Sequence, residues 1–205
     1  MSNDFLPLNG TDHIEFYVGN AKQSAYYYQH AFGFQLVAYA GPETGIRDRA
    51  SYVLQQGKVR FVLTTALHPD HEITRHVSQH GDGVKVLALW VDDAEKSYYE
   101  TMSRGAKSHL EPQTLTDEFG EVKVSAIHTY GETIHMFIER KNYNGIFMPG
   151  YTKLDTEYKP SVTGLKYIDH MVGNVELGAM NKWASFYADV MGFANLVTFD
   201  DKDIS

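Results

Sequence analysis

The sequence predicts an α+β fold assembled from paired β-α-β-β-β modules. Three observations predict this fold: short apolar runs with strand-like alternation, helical stripes of apolar residues between them, and recurrence of the same order of elements along the chain. A single module leaves an open sheet edge, so two modules are needed to form a complete domain. The 205 residues are enough for one pair and the beginning of another.

The first module is predicted over residues 12–66 and opens with a strand at 12–18. The helix that follows carries one apolar stripe, in which residues recur at steps of 4, 3 and 4: Ala21, Ala25, Tyr28 and Phe32. Asn20 is placed to cap the start of this helix, and Gly33 is placed to end it. Three further strands are predicted at 35–40, 50–55 and 58–65.

The second module is predicted over residues 83–140 and has the same order of elements. Its elements are a strand at 84–91, a helix at 93–104, a strand-like stretch at 107–115 and a hairpin formed by 122–129 and 133–139. Gly105 stands where the helix should stop. The two modules together make one complete domain.

The opening of the first module recurs near the end of the chain. DHIEFYVGN at 12–20 is matched by DHMVGN at 169–174, and the helical stripe recurs at the same steps as Met180, Ala184, Tyr187 and Met191. The first module takes 55 residues, whereas only 39 remain from residue 167 to the end. A third module would therefore contain its first strand, its helix and the start of a second strand at Leu196–Phe199.

This arithmetic predicts three segments. We expect an N-terminal paired-module domain at 1–140, a connector without sustained periodicity at 141–163, and the start of a truncated second domain at 164–205. On this interpretation the chain is a fragment of a longer protein or the product of a truncated gene. The alternative is that the last residues form a short C-terminal extension that packs onto the first domain.

The composition disfavours some classes of partner and indicates a cellular location. The formal charge is -8, which disfavours nucleic-acid and anionic membrane surfaces as partners. The chain has no cysteine, which excludes disulfide scaffolds, thiolate metal sites and cysteine catalysis. No basic and apolar leader opens the chain and no apolar run is long enough for a membrane span, so we predict a cytoplasmic protein.

Several stretches, in order and at matching separations, resemble one family. Paired β-α-β-β-β modules that open with a histidine on the first strand are similar to the vicinal oxygen chelate (glyoxalase and dioxygenase) superfamily, and within it the chain resembles the 4-hydroxyphenylpyruvate dioxygenase family. The resemblance runs from about residue 12 to the end. It is carried by FYVGNAKQSAYYY (16–28), GPETGIRDRASYVLQQGKVRFVLTTAL (41–67), HGDGVKVLALWVDD (80–93), NYNGIFMPGY (142–151) and IDHMVGN (168–174).

The resemblance implies an Fe(II) enzyme. Its members use a site of two histidines and one carboxylate in the second domain, and the first of these ligands falls on His170; the other two are expected beyond Ser205. The implied reaction converts 4-hydroxyphenylpyruvate and O2 to homogentisate and CO2 in tyrosine catabolism, in a homo-oligomer, and this chain alone is expected to be inactive. Two alternatives remain: a hydroxymandelate synthase-like enzyme, and a non-enzymatic binding or scaffold protein of the same superfamily.

If the modules are duplicates, the first domain contains positions equivalent to the iron ligands, which fall on His13, Val86 and Glu139. Strand alternation puts His13 on one face of its strand with Glu15 and Tyr17, and Glu139 on one face of its strand with His135 and Phe137, so that both faces could line the same concavity. A valine cannot bind iron, so a structural polar pair is the favoured interpretation. His76 and His80 lie four residues apart and would share a helix face, which is compatible with zinc, but a solvated connector between the modules is favoured.

Overall fold

The computed structural model describes residues 4–197. The strands are β1 (Leu8–Tyr17), β2 (Gln35–Ala40), β3 (Arg49–Gln56), β4 (Val59–Ala66), β5 (Gly83–Val91), β6 (Ser108–Asp117), β7 (Gly120–His128), β8 (Ile134–Glu139) and β9 (Thr152–Lys153). The helices are α1 (Ala21–Phe32), α2 (Glu72–His80), α3 (Ala94–Ser103) and α4 (Met180–Asp189). The strands form one mixed sheet in the order β6-β7-β8-β5-β1-β4-β3-β2-β9.

Both predicted modules are present, so the predicted fold class is confirmed. The first is β1-α1-β2-β3-β4 and the second is β5-α3-β6-β7-β8, with β1 parallel to β4 and β5 parallel to β8. The modules are joined through antiparallel pairing of β1 with β5, in which His13 lies opposite Ala88 and Glu15 opposite Val86. This pairing removes one open edge from each module and makes a continuous sheet.

The two faces of the sheet have different partners. On one face, α1 packs on the first module and α3 on the second, over the apolar residues Leu36, Leu54, Leu63, Leu89, Val91, Ile127 and Phe137. The opposite face, called here the inner face, carries a separate apolar cluster built around Val53, Val62, Val86, Ala88, Val124, Ile138 and Phe147. Successive residues of a strand therefore lie alternately on the helix-covered face and on the inner face.

The predicted ends of α1 are confirmed. The Asn20 side chain accepts a hydrogen bond from the backbone N–H of Gln23 at 3.0 Å, and Gly33 is left-handed with φ 73°. A Cβ at Gly33 would also lie 2.3 Å from the carbonyl oxygen of Ser161. The glycine thus ends the helix and admits the later segment that crosses it.

The predicted third module is only partly formed. Helix α4 is present, but residues 160–177 contain neither helix nor strand, so the strand expected around His170 is absent. A strand needs a hydrogen-bonding neighbour, and the free edge of β2 is instead occupied by β9 from the connector. The second predicted strand, Leu196–Phe199, lies partly outside the described residues.

Helix α4 packs on the helix-covered face of the second module. Val190 and Met191 are buried against residues of β5 and α3, whereas Met180 and Ala184, at the other end of the predicted stripe, are exposed. The C-terminal end of the helix is thus buried on the first domain, while near its start Trp183 contacts Tyr130 of the β7–β8 turn, with ring centroids 5.7 Å apart. Between residues 4 and 197, no helix is long and apolar enough to cross a membrane.

Candidate functional site

His170 lies at the rim of a cavity between the sheet and α4. The cavity has a volume of about 490 Å3 and is lined mainly by apolar and aromatic side chains from β5, from α4 and from the segment that precedes α4. His170 is exposed, and its Nδ1 lies 2.9 Å from a carboxylate oxygen of Asp169, which is also exposed. With Nδ1 engaged, Nε2 is the nitrogen that remains for a metal, and a carboxylate of this kind commonly orients a metal-binding imidazole.

A buried histidine closes the inner end of the same cavity. His135 on β8 is 4% exposed, and its Nε2 lies 2.9 Å from the hydroxyl of Tyr187 on α4. The Tyr187 hydroxyl also lies 3.1 Å from Oγ1 of Thr129. Burial lowers the pKa of His135 to about 4, so the imidazole is neutral at pH 7. His135 therefore connects α4 to the sheet through a hydrogen bond, beside an apolar cavity.

The described residues around His170 do not complete an iron site. Three side-chain donors are required, and His170 brings one imidazole with Asp169 as its hydrogen-bond partner. In the part of the chain that the structure describes, the group of three clustered donors is His76, His80 and Glu132, and His170 does not belong to it. Any iron bound through His170 therefore needs ligands from outside the described residues.

The predicted pairing of His13 with Glu139 in one concavity is wrong. His13 lies on the inner face, where its neighbours across the sheet are Ala88 and then Met136. Glu139 shares the face of Phe137, and its carboxylate accepts a hydrogen bond from the backbone N–H of Ala94 at 3.2 Å. Glu139 thus binds the start of α3, where unpaired backbone N–H groups need an acceptor.

His13 instead pairs with Asp12, its neighbour in β1. Its Nδ1 lies 2.7 Å from Asp12, and its ring packs edge-on against Phe147. The sequence suggested a structural polar pair of His13 with Glu139, whereas in the structure His13 pairs with Asp12. The inner face offers Val86 where a second histidine would be required, as expected from the sequence.

Glu15 is a buried carboxyl group on the inner face. Thr64 Oγ1 donates a hydrogen bond to its Oε1 at 2.6 Å, and Thr64 is itself 2.8 Å from the hydroxyl of Ser51. Burial raises the pKa of Glu15 above its ordinary value of 4.5, although the Thr64 hydrogen bond opposes the shift. Strand alternation places Glu15 on the face of His13, whereas its burial and its hydrogen bond to Thr64 depend on residues from other strands.

We expect Glu15→Gln to stabilise the fold at alkaline pH. A carboxyl whose pKa is raised by folding contributes stability at low pH, which is lost as pH rises above its ordinary value and through its folded value. The amide removes this loss and can still accept from Thr64. Urea unfolding at pH 4 and pH 8 checks this: the variant should gain stability relative to the wild type only at the higher pH. An equal difference in stability at both pH values would contradict this expectation. Thr64→Val, which removes the hydroxyl that donates to Glu15, should be less stable than the wild type at pH 8.

His76 and His80 do not lie in a solvated connector. They fall on α2, where His76 is 8% exposed, and a carboxylate of the turn between β7 and β8, Glu132, lies against both imidazoles. The four-residue spacing of the histidines was visible in the sequence. Glu132 is 52 residues beyond His80, and no local pattern connects it to them.

The order of strands, the β1–β5 junction and the helices on one face define a paired β-α-β-β-β domain of the vicinal oxygen chelate class. Comparison with known proteins identifies the family. The family model described as the N-terminal domain of hydroxyphenylpyruvate dioxygenase (HPPD) matches residues 3–152. The chain belongs to the hydroxyphenylpyruvate dioxygenase family.

Curated relatives match over nearly the whole chain. The 4-hydroxyphenylpyruvate dioxygenase of Aspergillus fumigatus is 38% identical over 224 residues, covering 100% of this chain and 55% of its own length. That of Tetrahymena thermophila is 40% identical and covers 95% of this chain and 50% of its own length. The chain therefore spans about half the length of the curated relatives it matches.

Solved structures agree on the fold. A mutant of 4-hydroxymandelate synthase from Streptomyces coelicolor, 26% identical, superposes with a TM-score of 0.80 and covers 94% of this chain and 55% of its own length. Methylmalonyl-CoA epimerase from Mycobacterium tuberculosis is 17% identical, with a TM-score of 0.53, and covers 68% of this chain and 91% of its own length. The second likeness concerns the fold alone, and it shows that a similar fold makes up nearly all of another protein.

Proposed function

We propose that this chain is the N-terminal half of an Fe(II)-dependent 4-hydroxyphenylpyruvate dioxygenase, in which the whole protein converts 4-hydroxyphenylpyruvate and O2 to homogentisate and CO2. The observation that carries the proposal is the match of the family's N-terminal model to residues 3–152, with relatives of that activity 38–40% identical over the chain. On this proposal the paired-module domain is structural. It holds the start of the second domain, where the chemistry takes place.

We propose that His170 supplies one ligand of the iron. Its Nδ1 is held by Asp169, which leaves Nε2 for the metal, and its exposed ring at the rim of the cavity is accessible to a further domain. The other imidazole and the carboxylate would come from a part of the whole protein that this chain does not span. Iron held by one face in this way leaves positions for a 2-oxo acid and for O2.

A hydroxymandelate synthase activity is the less supported alternative. The structural neighbour of that name is 26% identical, whereas the curated dioxygenases reach 38–40% over the same chain. The two reactions start from the same substrate, so the product formed by a complete enzyme decides between them. Homo-oligomerisation, a cytoplasmic location and a role in tyrosine catabolism stay predictions.

We expect the 205-residue chain alone to show no turnover of 4-hydroxyphenylpyruvate and no tight Fe(II) binding. A chimera that joins this chain to the remaining half of the Aspergillus fumigatus relative should bind one iron and form homogentisate. His170→Ala in the chimera should remove the iron and abolish product, because a two-ligand site holds Fe(II) weakly. Chromatographic product analysis and metal content after gel filtration measure both effects.

The matched control is the duplicate histidine of the first module. His13→Ala in the same chimera should leave the iron content unchanged and reduce stability only modestly, because His13 contacts Asp12 and Phe147 and lies on the inner face of the structural domain. Iron retained in His170→Ala, or lost in His13→Ala, would contradict the proposal that His170 binds the iron. Hydroxymandelate as the product would support the alternative activity.

A further inference from the structure

Three metal-binding side chains converge between α2 and the turn that joins β7 to β8. The Oε2 atom of Glu132 lies 3.3 Å from Nδ1 of His76 and 3.1 Å from Nε2 of His80. All three donor atoms lie within 4.8 Å of one another. This group is on the first domain and shares no residue with the cavity beside His170.

The local sequence produces the arrangement. His76 and His80 lie four residues apart on α2, so both imidazoles project from one side of the helix. Helix α2 ends at His80 because Gly81 follows it, with φ 74° and its N–H bonded to the carbonyl of Val77. The last turn of the helix therefore presents both rings towards Glu132.

His76 carries a buried ring nitrogen without an aligned hydrogen bond. The side chain is 8% exposed, and its Nδ1 has no aligned hydrogen-bond partner although it lies 3.3 Å from the Glu132 carboxylate. Buried polar atoms normally have a hydrogen-bond partner, so this nitrogen is a candidate to bind an ion together with the Glu132 carboxylate.

A zinc ion fits the spacing of these donors. Ligands about 2.0–2.1 Å from a tetrahedral zinc lie about 3.4 Å from each other, close to the 3.1 and 3.3 Å found between Glu132 and the two imidazoles. His80 and Glu132 are partly exposed, at 40% and 48% of their side chains, so both can adjust around a metal. Two imidazoles and one carboxylate, with a fourth position open to water, are a donor set found in zinc sites.

The ammonium group of Lys85 lies near the three donors but leaves them free to bind a cation. The ammonium of Lys85 donates a hydrogen bond of 2.5 Å to the backbone carbonyl of Glu132, and not to its carboxylate. The carboxylate therefore remains available, while the ammonium weakens cation binding through charge repulsion. The group is accessible from solvent on the His80 side, and Tyr17 covers the other side, with its ring 5.4 Å from that of His76.

We propose that His76, His80 and Glu132 form a zinc site with the fourth position open to water. The ion links α2, which connects the two modules, to the β7–β8 turn of the second module. Its function is to cross-link elements of the paired-module domain, and the proposal does not depend on the proposed dioxygenase activity or on His170.

Zinc titration of the untagged 205-residue chain tests the proposal. After removal of metals with EDTA, isothermal titration with Zn2+ should give one site per chain, and Co2+ at the same site should give the visible absorption of a four-coordinate ion. His80→Ala and Glu132→Gln should each weaken zinc binding on the order of 100-fold, since even outer-shell substitutions cost up to about that factor. Both residues are partly exposed, so these variants should fold.

Two matched controls locate the ion. His68→Ala removes an exposed imidazole that precedes α2 and lies 4.0 Å from Asp70, and His170→Ala removes the imidazole proposed for iron. Both should bind zinc like the wild type. The proposal is overturned if the wild-type chain does not bind Zn2+ stoichiometrically, if His80→Ala and Glu132→Gln bind it as the wild type does, or if His170→Ala abolishes binding.

Discussion

Replacing Arg140 with methionine should lower the free energy of unfolding by about 3 kcal/mol. Arg140 follows β8, and its guanidinium donates two hydrogen bonds to the Asp12 carboxylate, at 2.6 and 2.7 Å. A third hydrogen bond from Arg140 goes to the carbonyl of Phe147. One side chain thus holds together β1, the end of β8 and the connector, over 128 residues of sequence.

The size of this effect follows from the burial of Asp12. Its side chain is 3% exposed, and burial alone would raise the pKa of the carboxyl, but His13 and the Arg140 guanidinium hold it below its ordinary value. Removing Arg140 leaves a buried carboxylate with fewer partners, which typically costs about 3–5 kcal/mol. His13 and Arg60, 3.8 Å away, remain as partners, so we expect the lower end of this range.

A double-mutant cycle separates the ion pair from simple loss of packing. Asp12→Asn combined with Arg140→Met removes both charges, and its cost should be smaller than the sum of the single costs by about 1–3 kcal/mol. Arg49→Met is the matched control, because Arg49 pairs with Asp48 on the surface, where such pairs contribute about 0–1 kcal/mol. Urea unfolding at pH 7 measures the stability cost of both single variants, the double variant and the control. A cost below about 1 kcal/mol for Arg140→Met would mean that the pair does not hold the modules together.

The elements set by local sequence were predictable. Alternation and the apolar stripes placed the two modules, and Asn20 and Gly33 set the ends of α1 as expected, because caps act within a few residues. The repeat DHMVGN predicted a strand around His170, but residues 160–177 form no strand in the structure, and a strand needs a hydrogen-bonding neighbour. The same limit applies to β9, which is two residues long and exists only by pairing with β2.

Properties that depend on distant residues were not predictable. Alternation places His135, Phe137 and Glu139 on one face of β8, and the structure agrees, but the face itself was assigned wrongly because nothing local distinguishes a helix-covered face from the inner one. Glu132 reaches the histidines of α2 across 52 residues. The role of His170 stays a prediction, since its partners would come from outside the chain.

His135 should make the fold less stable in acid. The ordinary pKa of histidine is 6.5, and burial lowers that of His135 to about 4. A histidine with a lowered folded pKa binds its proton more readily when the chain is unfolded, so stability is full above 6.5 and is lost as pH falls from 6.5 towards 4. At pH 5, the loss from this residue amounts to about 2 kcal/mol.

His135→Gln removes this loss, because glutamine does not titrate and can still hydrogen-bond the Tyr187 hydroxyl. Between pH 7 and pH 5, the variant should lose about 2 kcal/mol less free energy of unfolding than the wild type. Tyr187→Phe is the matched control, since it deletes the partner of His135 but keeps the buried imidazole; it should be less stable at both pH values and lose stability with acid as steeply as the wild type. Urea unfolding of the three chains at the two pH values measures the difference. Equal slopes for His135→Gln and the wild type would show that His135 accepts a proton in the folded state, and α4 would then remain docked over a charged imidazole.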